Sequence, residues 1–234
     1  MTAPAQLVLT LPQRPALGRA DFLVAPCNET AVAWIDRWPD WPATALALAG
    51  PAGSGKSHLA EVWRGVSSAP SFSVAELEAE GPAGRLGAAR AALLDDAAAV
   101  AGRPAAEEAL LHLYNLLAER RGTLLLAAEA EPARWPVGLA DLASRLATAT
   151  VARLGPPDDA LMKGLLIKLF SDRQLRPAAE AVDYLVARME RTYAAAQRLV
   201  EAIDRRALAE RRRVTKPVAR AVLDALGEAG ESER

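Results

Sequence analysis

Short, wholly apolar runs separated by amphipathic stretches set the pattern of this chain. Ala45-Leu46-Ala47-Leu48-Ala49, Ala91-Ala92-Leu93-Leu94 and Leu124-Leu125-Leu126-Ala127-Ala128 carry no polar side chain, which predicts strands buried on both faces of a parallel sheet. Ser71-Phe72-Ser73-Val74 predicts a shorter strand, and Phe22-Leu23-Val24 an edge strand closed by Pro26. Between them the spacing is helical. Asn28 or Thr30 is a candidate cap for a helix to Trp38, a second helix runs from Ser57 to Val66, and a third from Ala105 to Arg121 carries Leu110, Leu113, Tyr114 and Leu117 on one side. Alternating strands and helices from 45 to 155 predict an α/β layer. After Gly155-Pro156-Pro157 the strand signals stop, and 158–172, 178–188, 193–213 and 215–226 read as helices. The expected organisation is an extended tail over 1–20, an α/β domain over 21–156, a small all-helical domain over 157–226 and a polar tail over 227–234.

Composition narrows the chemistry. Lys plus Arg number 28 against 29 Asp plus Glu, a formal charge of −1, which argues against coating duplex DNA by bulk charge. One cysteine, Cys27, excludes a disulfide framework, and two histidines leave little for a His-based metal centre. The start of the chain has no basic residues ahead of an apolar stretch, and no apolar run is long enough to span a bilayer. A cytoplasmic protein without membrane contact is expected.

The candidate chemistry begins at Gly50-Pro51-Ala52-Gly53-Ser54-Gly55-Lys56-Ser57. This run fits G-x-x-x-x-G-K-[ST] without a mismatch and stands between an apolar strand and a helix, as a phosphate-binding loop must. Glycines let backbone N–H groups approach phosphate oxygens, and the helix that follows adds its positive end. Lys56 is the candidate for the β- and γ-phosphates, and the Ser57 hydroxyl for Mg²⁺. His58 follows in the same helix, so residues 50–58 form the candidate nucleotide-binding set for ADP or ATP. Asp95-Asp96 follows a predicted strand at the carboxyl edge of the sheet. Asp95 there suits a Mg²⁺ ligand and Asp96 a group that orients water.

Several segments resemble one family. Phe22-Leu23-Val24-Ala25-Pro26-Cys27-Asn28 is similar to the segment before the first helix of the AAA+ replication initiator DnaA. Asp95-Asp96, Glu107 with Leu113-Tyr114-Asn115, Asp141-Leu142-Ala143-Ser144-Arg145-Leu146 and Val214–Leu223 match further pieces in order. The resemblance runs from Phe22 to Leu226 and implies a P-loop AAA+ core, a parallel sheet flanked by helices, with a helical lid. Only a short polar segment follows Leu226, without room for a DNA-reading helix-turn-helix. The chain therefore resembles the Hda family, regulatory inactivators of DnaA. Gln6-Leu7-Val8-Leu9-Thr10-Leu11 is similar to the peptide with which that family docks on the DNA polymerase III sliding clamp, Gln6, Leu7, Leu9 and Leu11 being the contact candidates.

The resemblance implies that Arg145 is an arginine finger acting in trans on ATP held by DnaA, a role suited to a planar, permanently charged fork. Replication initiation is then regulated negatively, with no sequence-specific DNA contact by this chain and self-association left open. Two positions depart from the family. Glu129 stands where a shorter sensor residue is usual, and Ala194 aligns with the sensor arginine of the lid. Alanine cannot touch a phosphate, so ADP binding with weak or no intrinsic ATPase is expected. Arg191 and Arg198 are the nearby cations. Rival readings are an autonomous ATPase resembling a helicase loader of the DnaC type, and a non-catalytic clamp-tethered adaptor. Arg205, Arg206 and Arg211–Arg213 read as a solvated helix face before a nucleic-acid site. Trp34, Trp38 and Trp63 read as packing groups, and Trp41 and Trp135, each beside a proline, as candidate exposed anchors.

Overall fold

The computed structural model describes residues 22–210 and 214–232. Helix α1 (Glu29–Asp36) leads into strand β1 (Ala45–Ala49), then α2 (Lys56–Ser67), β2 (Ser71–Phe72), α3 (Val74–Glu80), α4 (Ala83–Leu86) and β3 (Ala91–Leu94). After a 3-10 turn over Ala97–Val100 come α5 (Pro104–Glu119), β4 (Thr123–Ala128), α6 (Ala140–Ala147) and β5 (Thr150–Arg153). Helices α7 (Asp159–Asp172), α8 (Ala179–Val186), α9 (Tyr193–Glu210) and α10 (Lys216–Ser232) complete the chain.

The five strands form one parallel sheet in the order β2-β3-β4-β1-β5. All residues of β1, β3 and β4 are buried, which explains their unbroken apolar character. Alternate residues feed two cores. Ala45, Ala47, Leu124 and Leu126 face α3, α5 and α6, whereas Leu46, Leu48, Leu125 and Ala127 face α1 and α2. A third core joins the four helices of the C-terminal part through Leu166, Phe170, Leu185, Leu199, Ile203 and Val222. Truncating a fully buried leucine such as Leu46 is expected to cost about 2–5 kcal/mol. Among the described residues no helix is long and apolar enough to cross a membrane.

The local differences from the sequence expectation have identifiable causes. Phe22–Val24 is not a strand but a loop. Asn28, buried, holds it by accepting from the Ala25 N–H (2.9 Å) and donating to the Leu23 carbonyl (2.9 Å). With its side chain committed backwards, Asn28 precedes α1 without capping it. The strand expected over 71–74 ends at Phe72, because Ser73 caps α3 in a reciprocal box with Glu76. Trp41 and Trp135 are buried, their indole N–H groups donating to the carbonyls of Trp34 (2.8 Å) and Ala130 (2.9 Å). They are therefore packing groups, not exposed anchors.

Candidate functional site

Strand β1 lies between β4 and β5, so the loop that leaves its carboxyl end opens where the strand order of the sheet reverses, the place where open α/β sheets bind ligands. Gly50 is wedged there: a Cβ would stand 2.2 Å from the Leu154 carbonyl oxygen, too close for any side chain. Gly55 precedes α2 with φ +94°, a conformation open to glycine, and turns the chain into the helix. The result is a helix N-terminus behind a run of backbone N–H groups, a ready site for phosphate.

Lys56 opens α2 and folds back over the loop, its Nζ donating to the carbonyls of Gly50 (2.8 Å) and Pro51 (2.9 Å). Burial lowers its pKa below the usual lysine value, while the fields of Glu129, Asp95 and Asp96 oppose the shift. All three predicted carboxylates thus act on the charge of the one lysine. Glu129 directly follows β4, whose Ala128 pairs with Ala49 and accepts from the Gly50 N–H at 3.3 Å. Asp95 is half-buried at the end of β3 and accepts from the Asp96 N–H at 2.9 Å; Asp96 is exposed. Ser57 is exposed in the first turn of α2. A hydroxyl and one carboxylate suit Mg²⁺, which takes few protein ligands alongside phosphate oxygens and water. The arrangement fits a nucleotide with its metal, since a glycine-containing loop leads into a helix N-terminus beside one ammonium and oxygen donors.

Beside the loop a cleft of about 450 Å³, its open mouth included, is lined by Phe22, His58, Met162, Leu165 and Tyr193 among others. His58 stands edge-on to Phe22 (5.2 Å between centroids) and tilted against Tyr193 (4.8 Å). The lid also reaches the loop itself. A Cβ at Gly53 (φ +73°) would sit 2.3 Å from Thr192 Cγ2. Thr192 and Tyr193 were not singled out as site residues from the sequence, because their role depends on α9 folding back across about 140 residues.

The lid arginines lie elsewhere. Ala194 is exposed near the start of α9; Arg191 pairs with Asp159 (2.5 Å) and Arg198 with Glu190 (3.8 Å). Arg205 pairs with Glu201 along the helix (3.2 Å), in keeping with a solvated face, and Arg211–Arg213 lie outside the described residues. Gln6, Leu7, Leu9 and Leu11 also lie outside them. Arg145 is exposed on α6, and its guanidinium carbon stands 5.8 Å over the Tyr114 ring. Among the described residues it makes no ion pair with Asp141.

A family model described as "Hda, lid domain" matches residues 163–223. The replication initiator DnaA of Caulobacter vibrioides is 30% identical over 166 residues, covering 62% of this chain. The chain is thus similar in sequence to DnaA, and its lid matches the Hda lid family. The chain spans about a third (34%) of the curated relatives it matches. Its α/β core and lid are similar to domain III of Thermotoga maritima DnaA, with a TM-score of 0.73 at 18% identity, covering 92% of this chain and 98% of that one. AMPPCP-bound DnaA from Aquifex aeolicus gives 0.68 at 17%, covering 85% and 70%. A RuvB variant from Thermotoga maritima gives 0.61 at 16%, covering 78% and 62%, so the fold is shared across AAA+ proteins.

Proposed function

We propose that this DnaA-related AAA+ protein binds a nucleotide, ADP, between its core (residues 21–156) and its helical lid (157–226), and acts on ATP held by DnaA rather than on its own. Lys56 exchanges the Gly50 and Pro51 carbonyls for phosphate oxygens, Ser57 and Asp95 hold Mg²⁺, and the cleft beside His58 and Tyr193 takes the base. Gln6–Leu11 tethers the protein to the sliding clamp. Arg145 then reaches the γ-phosphate of DnaA-bound ATP, where a guanidinium stabilises charge that develops during transfer. Conversion of DnaA to its ADP form lowers replication initiation.

The single observation that carries this reading is the exposure of Arg145 on α6, unpaired with Asp141 and open to a second molecule. Ala194 supports the other half, since the lid brings no arginine from that position to the chain's own phosphates. The test is single-turnover hydrolysis of ATP preloaded on DnaA, with clamp on DNA, comparing wild type with Arg145→Ala. Fingers contribute about 10³–10⁵ in rate, so stimulation should vanish; an undiminished rate overturns the reading.

A further inference from the structure

One face of α5 holds the start of α6 through a carboxylate that the nucleotide site does not use. Glu107 is 3% exposed. Its Oε2 accepts from the backbone N–H of Leu139 (2.8 Å) and Gly138 (3.0 Å), and its Oε1 from Gly102 (2.9 Å) and Gly138 (3.1 Å). Leu139 immediately precedes α6 and has no capping side chain, so Glu107 pins the entry to α6 from another helix by accepting from the N–H of the N-cap residue itself and of Gly138 before it. Burial raises the cost of the charge, but these N–H donors more than offset it and hold the carboxyl below its ordinary value.

Tyr114 lies two helical turns further along α5, on nearly the same face, about 10 Å away. It is 6% exposed and carries the Arg145 guanidinium over its ring at 5.8 Å. Leu139 to Arg145 along α6 covers nearly the same rise. Helix α6 therefore runs beside α5 with both of its ends held, one by charge and one by a ring. Gly102 adds a third tie, because it lies in the segment that follows Asp95-Asp96 and the 3-10 turn.

We propose that Glu107 and Tyr114 are positioning residues that form a two-point mount aiming Arg145 outward, an inference that rests on the trans role proposed above. Neither residue touches the reacting phosphate. Their effect is on how often the guanidinium stands ready, and so on the maximal rate rather than on partner affinity.

The experiment measures DnaA-bound ATP turnover against concentration of the full chain, with clamp on DNA, for wild type, Glu107→Gln, Glu108→Gln, Tyr114→Phe, Tyr114→Leu and Arg145→Ala. ADP affinity of each variant is measured alongside. The amide of Glu107→Gln keeps one acceptor oxygen and should lower the maximal rate about tenfold. The half-saturating concentration and ADP affinity should stay unchanged, which general loosening of the fold would not spare. Tyr114→Leu should lower the rate about threefold, and Tyr114→Phe, which keeps the ring, should restore it. The exposed neighbour Glu108→Gln should match wild type. If Arg145→Ala abolishes turnover while Glu107→Gln and Tyr114→Leu leave it intact, the mount is overturned and the trans role stands. If Arg145→Ala is fully active, both fall. Should Glu107→Gln fail to fold, the Tyr114 pair decides alone: equal rates for leucine and phenylalanine overturn the proposal.

Discussion

The two polar regions of the α/β part are built on opposite plans. Around Lys56 polar groups converge: two loop carbonyls accept from its ammonium, three carboxylates act on its charge, and the lid residue Thr192 stands against Gly53. Around Arg145 everything is arranged behind the side chain, with a buried carboxylate and a buried ring beneath an exposed guanidinium. A cation among carboxylates and N–H groups is set to hold a polyanion with its metal. A cation without a carboxylate partner, resting on a ring, is set to meet charge from elsewhere. Binding and action are thus separated in space on the proposed reading.

The separation can be broken one side at a time. Arg145→Ala should give the largest effect, roughly 10³-fold or more in DnaA-bound ATP turnover, with ADP affinity measured by calorimetry unchanged. Lys56→Ala should reverse the pattern, weakening ADP binding about tenfold to a hundredfold through the lost charge-assisted bonds. Gly53→Ala forces a Cβ against Thr192 at a positive φ. It should weaken ADP binding less than Lys56→Ala does and lower the thermal midpoint by a few degrees, corresponding to about 1 kcal/mol or more.

Acid sharpens the same comparison through Glu107. Its folded-state pKa is depressed below the ordinary 4.5, so its stabilisation is present above the unfolded value and is lost as pH falls through the folded one. Wild type should therefore lose thermal stability more steeply than Glu107→Gln as pH drops below about 4.5. A thermal-melt series across that window reads the difference directly. The smallest effect belongs to the lid surface: Arg205→Ala breaks an exposed pair with Glu201 and should change stability by less than about 1 kcal/mol.

Much of the frame was legible because burial on both faces leaves so plain a trace. The runs at Ala45, Ala91 and Leu124 are strands for that reason, and the phosphate loop follows from the first of them. Strand β5 was not singled out, since its edge position leaves Thr150 and Val151 half-buried and Arg153 exposed, with no continuous apolar run to notice. Trp41 and Trp135 show the limit of local reasoning: a neighbouring proline signals a loop but says nothing of what covers it. Glu107 shows it again. Its helical spacing was visible, but its partners Gly138 and Leu139 lie 31 and 32 residues away, and nothing in the pattern joins them. Arg145 was found through the family likeness alone, and its ring support only through the fold.

The most direct measurement loads radiolabelled ATP on one protein at a time. With label on DnaA and unlabelled ADP on this chain, clamp and DNA present, phosphate should be released, and release should stop with Arg145→Ala. With label on this chain alone, release should stay near background for wild type and Lys56→Ala alike. Fast release from the chain's own site, abolished by Lys56→Ala and indifferent to Arg145→Ala, would contradict the account.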